Sequence, residues 1–474
     1  MIPRVVIAGT SSGAGKTTVA CGLIGALRSC GLRVQGFKVG PDYIDPSYHA
    51  LAGGRPGRNL DAFLSGPELI APLVRHGSAG ADIAVIEGVM GLFDGASGRG
   101  ELASTGHVAK LLDAPVLLVV DAAAMARSAA AIVHGYTTFD PAVNVAGVVF
   151  NRVGSDHHEQ LLREAIAPLG VPMLGALRRD ERVVAPERHL GLVPAGEREQ
   201  PTSVALATLA EAVARYVDVP RIERLARTAP ALAAGPRWSA EPATEAACGT
   251  RIAIARGPAF SFHYEENLEL LAAAGAELAP FDPLHDETLP PDCGALILAG
   301  GFPEVFGPQL EANAPLRADV AAFAAAGKPV LAECGGLLYL CADLDGHEMC
   351  GAIPARASMS GRLTLGYREA VATTAMPWLE VGERVRGHEF HYSQIQPLEE
   401  EQPAPEGRRL PYAQPPTGAA TGAAWSLSAR GTSRREGFAA GTLQASYLHV
   451  HWAAHPHIAL RFAQAARAAQ LTMA

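Results

Sequence analysis

The chain has 474 residues, of which 49% are hydrophobic and 18% charged, enough to bury a sizeable core and to form two or more domains. Its net charge of -9, from 48 acidic against 39 basic residues, offers no footprint for nucleic acid or an anionic membrane, and its longest apolar stretch, around 114–120, is strand-sized. Seven cysteines without a Cys-x-x-Cys pair or zinc-like spacing predict reduced thiols, and a first strand starting at Arg4 leaves no room for a signal peptide, so the expected location is the cytoplasm.

Arg4 to Ala8 is a β-branched run, followed by the glycine-rich turn Gly9-Thr-Ser-Ser-Gly-Ala-Gly-Lys-Thr-Thr18 and by a helix predicted over Gly15 to Cys30 and closed by Gly31. A strand, a glycine-rich turn and a helix opening with Gly-Lys-Thr form the context of a phosphate-binding loop, in which backbone N–H groups and the helix N-terminus hold phosphate. Gly13, Gly15, Lys16, Thr17 and Thr18 are the nucleotide-binding candidates, with Lys16 reaching the outer phosphates and Thr17 ligating magnesium. One departure stands out: Thr10 occupies the place where the usual spacing puts glycine, while Gly9 lies one position earlier and Gly13 is extra.

Next comes the densest polar cluster, Lys38-Val-Gly-Pro-Asp-Tyr-Ile-Asp-Pro-Ser-Tyr-His49, which offers cation, carboxylates, phenol and imidazole and could hold substrate and metal together; Asp42, Tyr43 and Asp45 are more polar than a turn requires. Glu87 ends the apolar strand Ile83 to Ile86, where a carboxylate can reach the magnesium of the phosphate loop, and it opens the stretch Glu87-Gly-Val-Met-Gly-Leu-Phe-Asp-Gly95 containing Asp94. Strands at Val116 to Val120 and Val145 to Phe150 follow, the second ending at Asn151, a candidate for hydrogen-bonding a base. The alternation predicts an α/β domain with a parallel sheet, running to about residue 225, with ligands at the carboxyl ends of its strands.

Residues 226–249, rich in Ala and Pro, read as a linker, and a second α/β domain occupies 250–474. Its expected strands are Arg251 to Ala255, Ala295 to Leu298 and Pro329 to Ala332; its expected helices lie near Glu265 to Ala274, Pro308 to Ala326 and Gly336 to Leu344. Cys334 follows the third strand and precedes Gly335-Gly336, the setting of a nucleophile elbow that exposes a thiolate. Gly301 and Gly335 are candidate oxyanion donors, and the base comes from His449, His451 or His455. Between about 398 and 436 the composition turns to Pro, Gly, Glu, Arg and Ser, predicting a flexible surface insertion.

A site that uses ATP and a site that frees ammonia together suit an amide ligase, because a carboxylate does not react with ammonia until its oxygen becomes a leaving group. These residues resemble the cobyrinate and hydrogenobyrinate a,c-diamide synthases of cobalamin biosynthesis, whose first domain is similar to dethiobiotin synthetase and whose second is a class I-type glutamine amidotransferase. The resemblance covers nearly the whole chain and rests on the 9–18 loop, the 38–49 block, Glu87 to Gly95, Phe150 to Arg152, Glu187 to Leu192, Gly300 to Glu304, the cysteine elbow, Gly387 to Tyr392 and Tyr447 to His449. The related cobyric acid synthases share the two-domain plan but lack the 38–49 type of block.

The resemblance implies ATP and Mg²⁺ as cofactors, a corrinoid macrocycle and L-glutamine as partners, and leaves a homodimer open. It implies that an acetate carboxylate is phosphorylated and that ammonia displaces the phosphate, once at position c and once at a. Lys38, Asp42, Tyr43, Asp45 and Asp94 then fall at substrate positions, Thr17, Asp42 and Glu87 at metal positions, and Cys334 and His449 at the glutaminase positions. A glutamate two residues past the histidine would complete the usual triad, but His451 stands there, so the orienting group is open. Gly257, where the family usually has an acid, and the long 398–436 segment are further departures. Two rival readings are a nickel sirohydrochlorin a,c-diamide synthase and a non-catalytic P-loop switch.

Overall fold

The computed structural model describes residues 2–179, 187–188, 191–192, 199–232, 237–240, 249–398, 422–429 and 431–472. The chain divides into two compact units, Met1–Ser239 and Ala240–Ala474. The division falls inside the segment expected as a linker, although α8 (below) reaches one residue into it, and residues 233–236 and 241–248 lie outside the described residues.

In the first unit the strands are β1 (Arg4–Gly9), β2 (Val34–Val39), β3 (Arg58–Leu60), β4 (Ile83–Glu87), β5 (Val116–Asp121), β6 (Val145–Val153), β7 (Met173–Arg178) and a short pair, β8 (Glu187–Arg188) and β9 (Gly191–Leu192). The helices are α1 (Lys16–Ser29), α2 (Ile44–Gly53), α3 (Pro67–Gly77), α4 (Thr105–Leu111), α5 (Ser128–Thr138), α6 (Asp156–Ile166), α7 (Glu199–Tyr216) and α8 (Val219–Ala226). Seven strands form one parallel sheet in the order β3-β2-β4-β1-β5-β6-β7. Val5, Val6, Ile7 and Ala8 are fully buried, as a strand covered by helices on both faces requires. Because β1 lies between β4 and β5, its carboxyl end opens at a point where the strand order reverses, the usual place for a ligand crevice.

In the second unit β10 (Thr250–Ala255), α9 (Glu265–Ala273), β11 (Ala276–Phe281), β12 (Cys293–Leu298), α10 (Gly307–Ala312), α11 (Ala314–Ala325), β13 (Val330–Glu333) and α12 (Gly335–Leu340) come first. Then follow β14 (Asp343–Leu344), β15 (His347–Glu348), β16 (Ala355–Ala372), β17 (Arg384–Pro397), β18 (Trp425–Ala429), β19 (Thr432–Glu436), β20 (Phe438–Ala440), β21 (Leu443–Ser446), β22 (His449–Val450) and α13 (Pro456–Thr472). One sheet has the order β11-β10-β12-β13-β21-β20 and is parallel except for β20. A second, largely antiparallel sheet is built on the β16–β17 hairpin, with β22 on its edge and β18–β19 paired beside β16.

Three expectations change. The helix expected over Pro308 to Ala326 is two helices, because Asn313 leaves helical geometry and its side chain caps α11 at the Leu316 N–H. The helix expected to reach Leu344 stops at Leu340 and gives way to β14. Residues 425–429 and 432–436, expected within the flexible insertion, form β18 and β19; residues 399–421 and 430 of that insertion lie outside the described residues.

Candidate functional site

The phosphate loop joins β1 to α1. Gly15 caps α1 at φ 98°, and a Cβ there would stand 2.0 Å from the Asn151 amide. Gly9 is required by contact instead: its Cβ would stand 2.9 Å from the stem of Lys16. This close approach explains glycine at position 9, and Thr10 is held through its carbonyl, which accepts from the Tyr136 hydroxyl at 2.5 Å. Ser11, Ser12 and Gly13 form the exposed crown of the loop, and Thr18 is half-buried in the first turn of α1. Lys16 Nζ donates to the Ser11 carbonyl at 2.9 Å, and burial, followed by the charge of Lys38, pushes its pKa down to about 8. Asn151, expected to meet a base, has its amide on the loop itself, donating to the Ala14 carbonyl at 3.1 Å.

Behind the loop, Lys38 and Glu87 are register partners across β2 and β4. The Glu87 carboxylate is fully buried and accepts from Thr17 Oγ1 at 2.6 Å, Lys38 Nζ at 2.7 Å and His49 Nε2 at 2.7 Å. Asp45 and His49, four residues apart, share a face of α2, and Asp45 forms an ion pair with Lys38. Gly36 in β2 makes room for this face, since a Cβ there would come 2.7 Å from that of His49. Burial alone would raise the Glu87 pKa, but Lys38 and His49 outweigh it and hold the carboxyl below its ordinary range. Burial and the Glu87 charge push Asp45 the other way, well above it. One lysine thus neutralises one of two buried acids, and a further cation at this spot would favour ionisation of the second.

Asp42 has a more structural position than the sequence suggested: its Oδ1 accepts from the Ile44 and Asp45 N–H groups at 2.7 and 3.0 Å and starts α2. Tyr43 is the half-buried residue between them. Asp94 accepts from the Gly91 N–H at 3.0 Å in a loop tied to the phosphate loop by Leu92 N–H to Gly9 O, 2.9 Å. The hydroxyl of Thr17 and the carboxylate of Glu87 are hard oxygen donors that fit magnesium, which takes few protein ligands and completes its shell with phosphate and water. Among the described residues no group of three or more His, Cys, Asp or Glu is placed to hold a metal ion.

In the second unit, Cys334 sits between β13 and α12 at φ 47°, ψ -100°. Such a conformation costs a non-glycine residue about 1–3 kcal/mol. Its N–H donates to the Ser446 carbonyl at 2.7 Å, pinning the elbow to β21. Burial, then the Glu304 carboxylate, pushes the thiol well above its ordinary pKa. A Cβ on Gly335 would stand 2.9 Å from the Gly301 nitrogen, and one on Gly300 would stand 2.5 Å from His449 Cε1. The Gly300-Gly301 backbone therefore passes between elbow and histidine at a distance no side chain permits, bringing Cys334, Gly335, Gly301 and His449 together.

His449 Nδ1 lies 3.3 Å from Glu333 Oε2, and its ring stacks on His388, its cross-strand neighbour, with centroids 4.9 Å apart. His388 Nε2 is 2.9 Å from the Tyr264 hydroxyl, and burial, then the charge of His449, holds this imidazole well below its ordinary pKa and therefore neutral. Of the other candidate bases, His451 Nε2 is 3.4 Å from the buried Glu266, and His455 lies in the turn before α13. Beside the elbow, a cavity of about 750 Å³ has Leu337, Arg368, His391, Arg434 and Tyr447 in its wall. Arg368 and Arg434 both donate to Glu389, whose charge is opposed by burial but sustained by His391, Arg434 and Arg368, leaving its pKa at about 2.

Sequence reasoning had not assigned roles to His49, Glu333, His388, Arg368 or Glu389. The i, i+4 spacing of Asp45 and His49 was a readable signal for the first. His388, Arg368 and Glu389 depend on pairings that the hairpin sheet establishes, and Glu333 on a contact with His449 far along the chain.

Residues 5–193 match the CobQ/CobB/MinD/ParA nucleotide binding domain, and residues 251–457 match the CobB/CobQ-like glutamine amidotransferase domain. Among curated proteins, the chain is 50% identical to the hydrogenobyrinate a,c-diamide synthase of Streptomyces coelicolor, covering 98% of each chain. It is 47% identical to that of Thermobifida fusca, covering 98% of this chain and 97% of the relative. A cobyrinate a,c-diamide synthase from Syntrophotalea carbinolica is 46% identical over 97% of this chain and 98% of its own. Among the described residues no helix is long and apolar enough to cross a membrane.

Proposed function

The chain belongs to the a,c-diamide synthase family, and from that premise we propose that it uses ATP and glutamine to amidate the a and c acetate carboxylates of cobyrinate or hydrogenobyrinate in cobalamin biosynthesis. The observation that carries this reading is the pairing, in one chain, of a phosphate loop backed by Glu87 with a cysteine elbow backed by His449.

Lys16 and the crown of the loop hold the outer phosphates of ATP, a substrate, and Thr17 and Glu87 would hold magnesium, which supplies neutralisation of phosphate charge. Asp45, Tyr43 and Lys38, at the carboxyl end of β2, are assigned to the macrocycle. The attacked γ-phosphoryl passes to an acetate oxygen, giving an acyl phosphate; ammonia adds at that carbonyl and phosphate leaves. In the second unit Cys334 Sγ attacks the side-chain amide of L-glutamine, His449 takes up the thiol proton and returns it to the departing ammonia, and water releases glutamate. The N–H groups of Gly301 and Gly335 suit the oxyanion of that addition. The adjoining cavity, with Arg368, Arg434 and Tyr447 in its wall, offers positive charge and a hydroxyl to the carboxylate end of glutamine.

The decisive test is ATP turnover that requires both glutamine and a tetrapyrrole, with amides counted by mass spectrometry on metal-free and cobalt-bearing hexacarboxylates. Two added amides per macrocycle are expected. ATP hydrolysis indifferent to tetrapyrrole and glutamine would instead support the P-loop switch.

A further inference from the structure

The family-type position two residues past the catalytic histidine holds His451, which turns to Glu266 and leaves His449 to another partner. That partner is one residue from the nucleophile. β13 alternates its side chains, so Val330 and Ala332 join the core cluster that contains Cys334, while Leu331 and Glu333 face the opposite side of the sheet. From there Glu333 reaches the carboxyl edge of the sheet, where Oε2 lies 3.3 Å from His449 Nδ1 and Oε1 accepts from the Val450 N–H at 3.4 Å. The two contacts bracket His449 from its ring and from the following backbone. A carboxylate can only accept, so the ring proton on this side must sit on Nδ1, leaving Nε2 as the atom able to take a proton. His388 closes off one face of the same ring by stacking, and the Gly300 backbone crowds its Cε1 corner.

We infer that Glu333 is the positioning residue that orients His449 and fixes its tautomer for the glutaminase step, completing the group from the residue before the nucleophile. It carries out the work expected of a carboxylate in a nucleophile–base–acid arrangement: it holds the imidazole in place and stabilises the imidazolium formed when Sγ loses its proton. Since the buried thiol resists ionisation, that counter-charge matters more here than at an exposed cysteine.

The inference deepens the glutamine-dependent reading above, and its test uses a readout that does not need amidation. Labelling of Cys334 by an electrophilic chloroketone analogue of glutamine is compared for wild type, Glu333→Gln, Glu333→Asp and His451→Ala. Glu333→Gln is expected to slow labelling at least tenfold at saturating analogue, an estimate of about the lower end for loss of an orienting acid. Its half-saturation for the analogue should stay within about twofold of wild type, because general-base positioning affects the chemical step rather than ground-state binding. Glu333→Asp should recover part of the rate, His451→Ala should label like wild type, and ¹⁵N spectra should show the His449 proton leaving Nδ1 in Glu333→Gln alone. Wild-type labelling by Glu333→Gln, or a defect confined to half-saturation, would overturn the assignment. So would an equal loss of ammonia-driven synthesis in that variant, which would mark a general structural defect.

Discussion

The two sites solve opposite problems with opposite materials. In the first unit Thr17, Lys38 and His49 converge on the buried Glu87 carboxylate, and Lys38 also pairs with Asp45. In the second, Cys334, the proposed nucleophile, has no cation paired with it among the described residues; it sits on a strained backbone turn beside close glycine contacts, and stacked rings hold His449. The difference follows the chemistry. A site for polyphosphate must keep fixed charge ready, because the ligand arrives charged; a site for a neutral amide must generate its charge only when the proton moves.

The comparison breaks most sharply under substitution of the fixed charges. Lys16→Ala or Glu87→Ala should reduce amidation by on the order of a thousandfold, with either glutamine or ammonia, since both nitrogen sources depend on the activated carboxylate. Full synthetase activity of Lys16→Ala at saturating ammonia, measured by amide counting, would detach the phosphate loop from activation. Cys334→Ser should cut glutamine-driven synthesis by about a thousandfold or more while ammonia-driven synthesis continues, because the hydroxyl is a far weaker nucleophile at neutral pH. A serine variant that still used glutamine at the wild-type rate would merge the two sites into one.

Smaller effects sharpen the contrast. Asp45→Ala or Tyr43→Ala should weaken amidation by about tenfold to a hundredfold, with mono-amide accumulating, yet leave Cys334 labelling unchanged; the figure follows typical costs of misplacing a substrate. Unaltered diamide kinetics in both variants would reduce them to turn formers.

The smallest effect concerns pH. Burial, against hydrogen bonds from Ser446 and the Tyr447 N–H, pushes Glu436 from an ordinary 4.5 up to about 7. The folded protein therefore retains a proton that the unfolded chain releases, and stability falls as pH rises from about 4.5 to about 7, then levels off, by up to about 3 kcal/mol. Thermal melts of Glu436→Gln across that window should show a flatter profile than wild type; parallel profiles would place the titration elsewhere.

Much of the first unit was readable in the sequence because its strands are buried on both faces and appear as unbroken apolar runs, and because a loop that grips phosphate needs glycine and lysine in fixed order. The β16–β17 hairpin was not readable. Its residues 360–366, Ser-Gly-Arg-Leu-Thr-Leu-Gly, are mostly half-buried or exposed, so no strong period separates them from a loop. That lapse hid His388 and Glu389, which the hairpin positions. Glu333 escaped for another reason: the usual order of such groups directs attention past the histidine, whereas here the carboxylate precedes the cysteine.

Glu87 also has a meaning for how this sequence can change over generations. Thr17, Lys38 and His49 come from three separate elements, and each leans on the same two oxygen atoms. Replacing any one alters what the carboxylate offers the other two, so their effects should be strongly non-additive. Single-step drift at these positions meets a barrier that paired changes would avoid, and the site is expected to vary as a block or not at all.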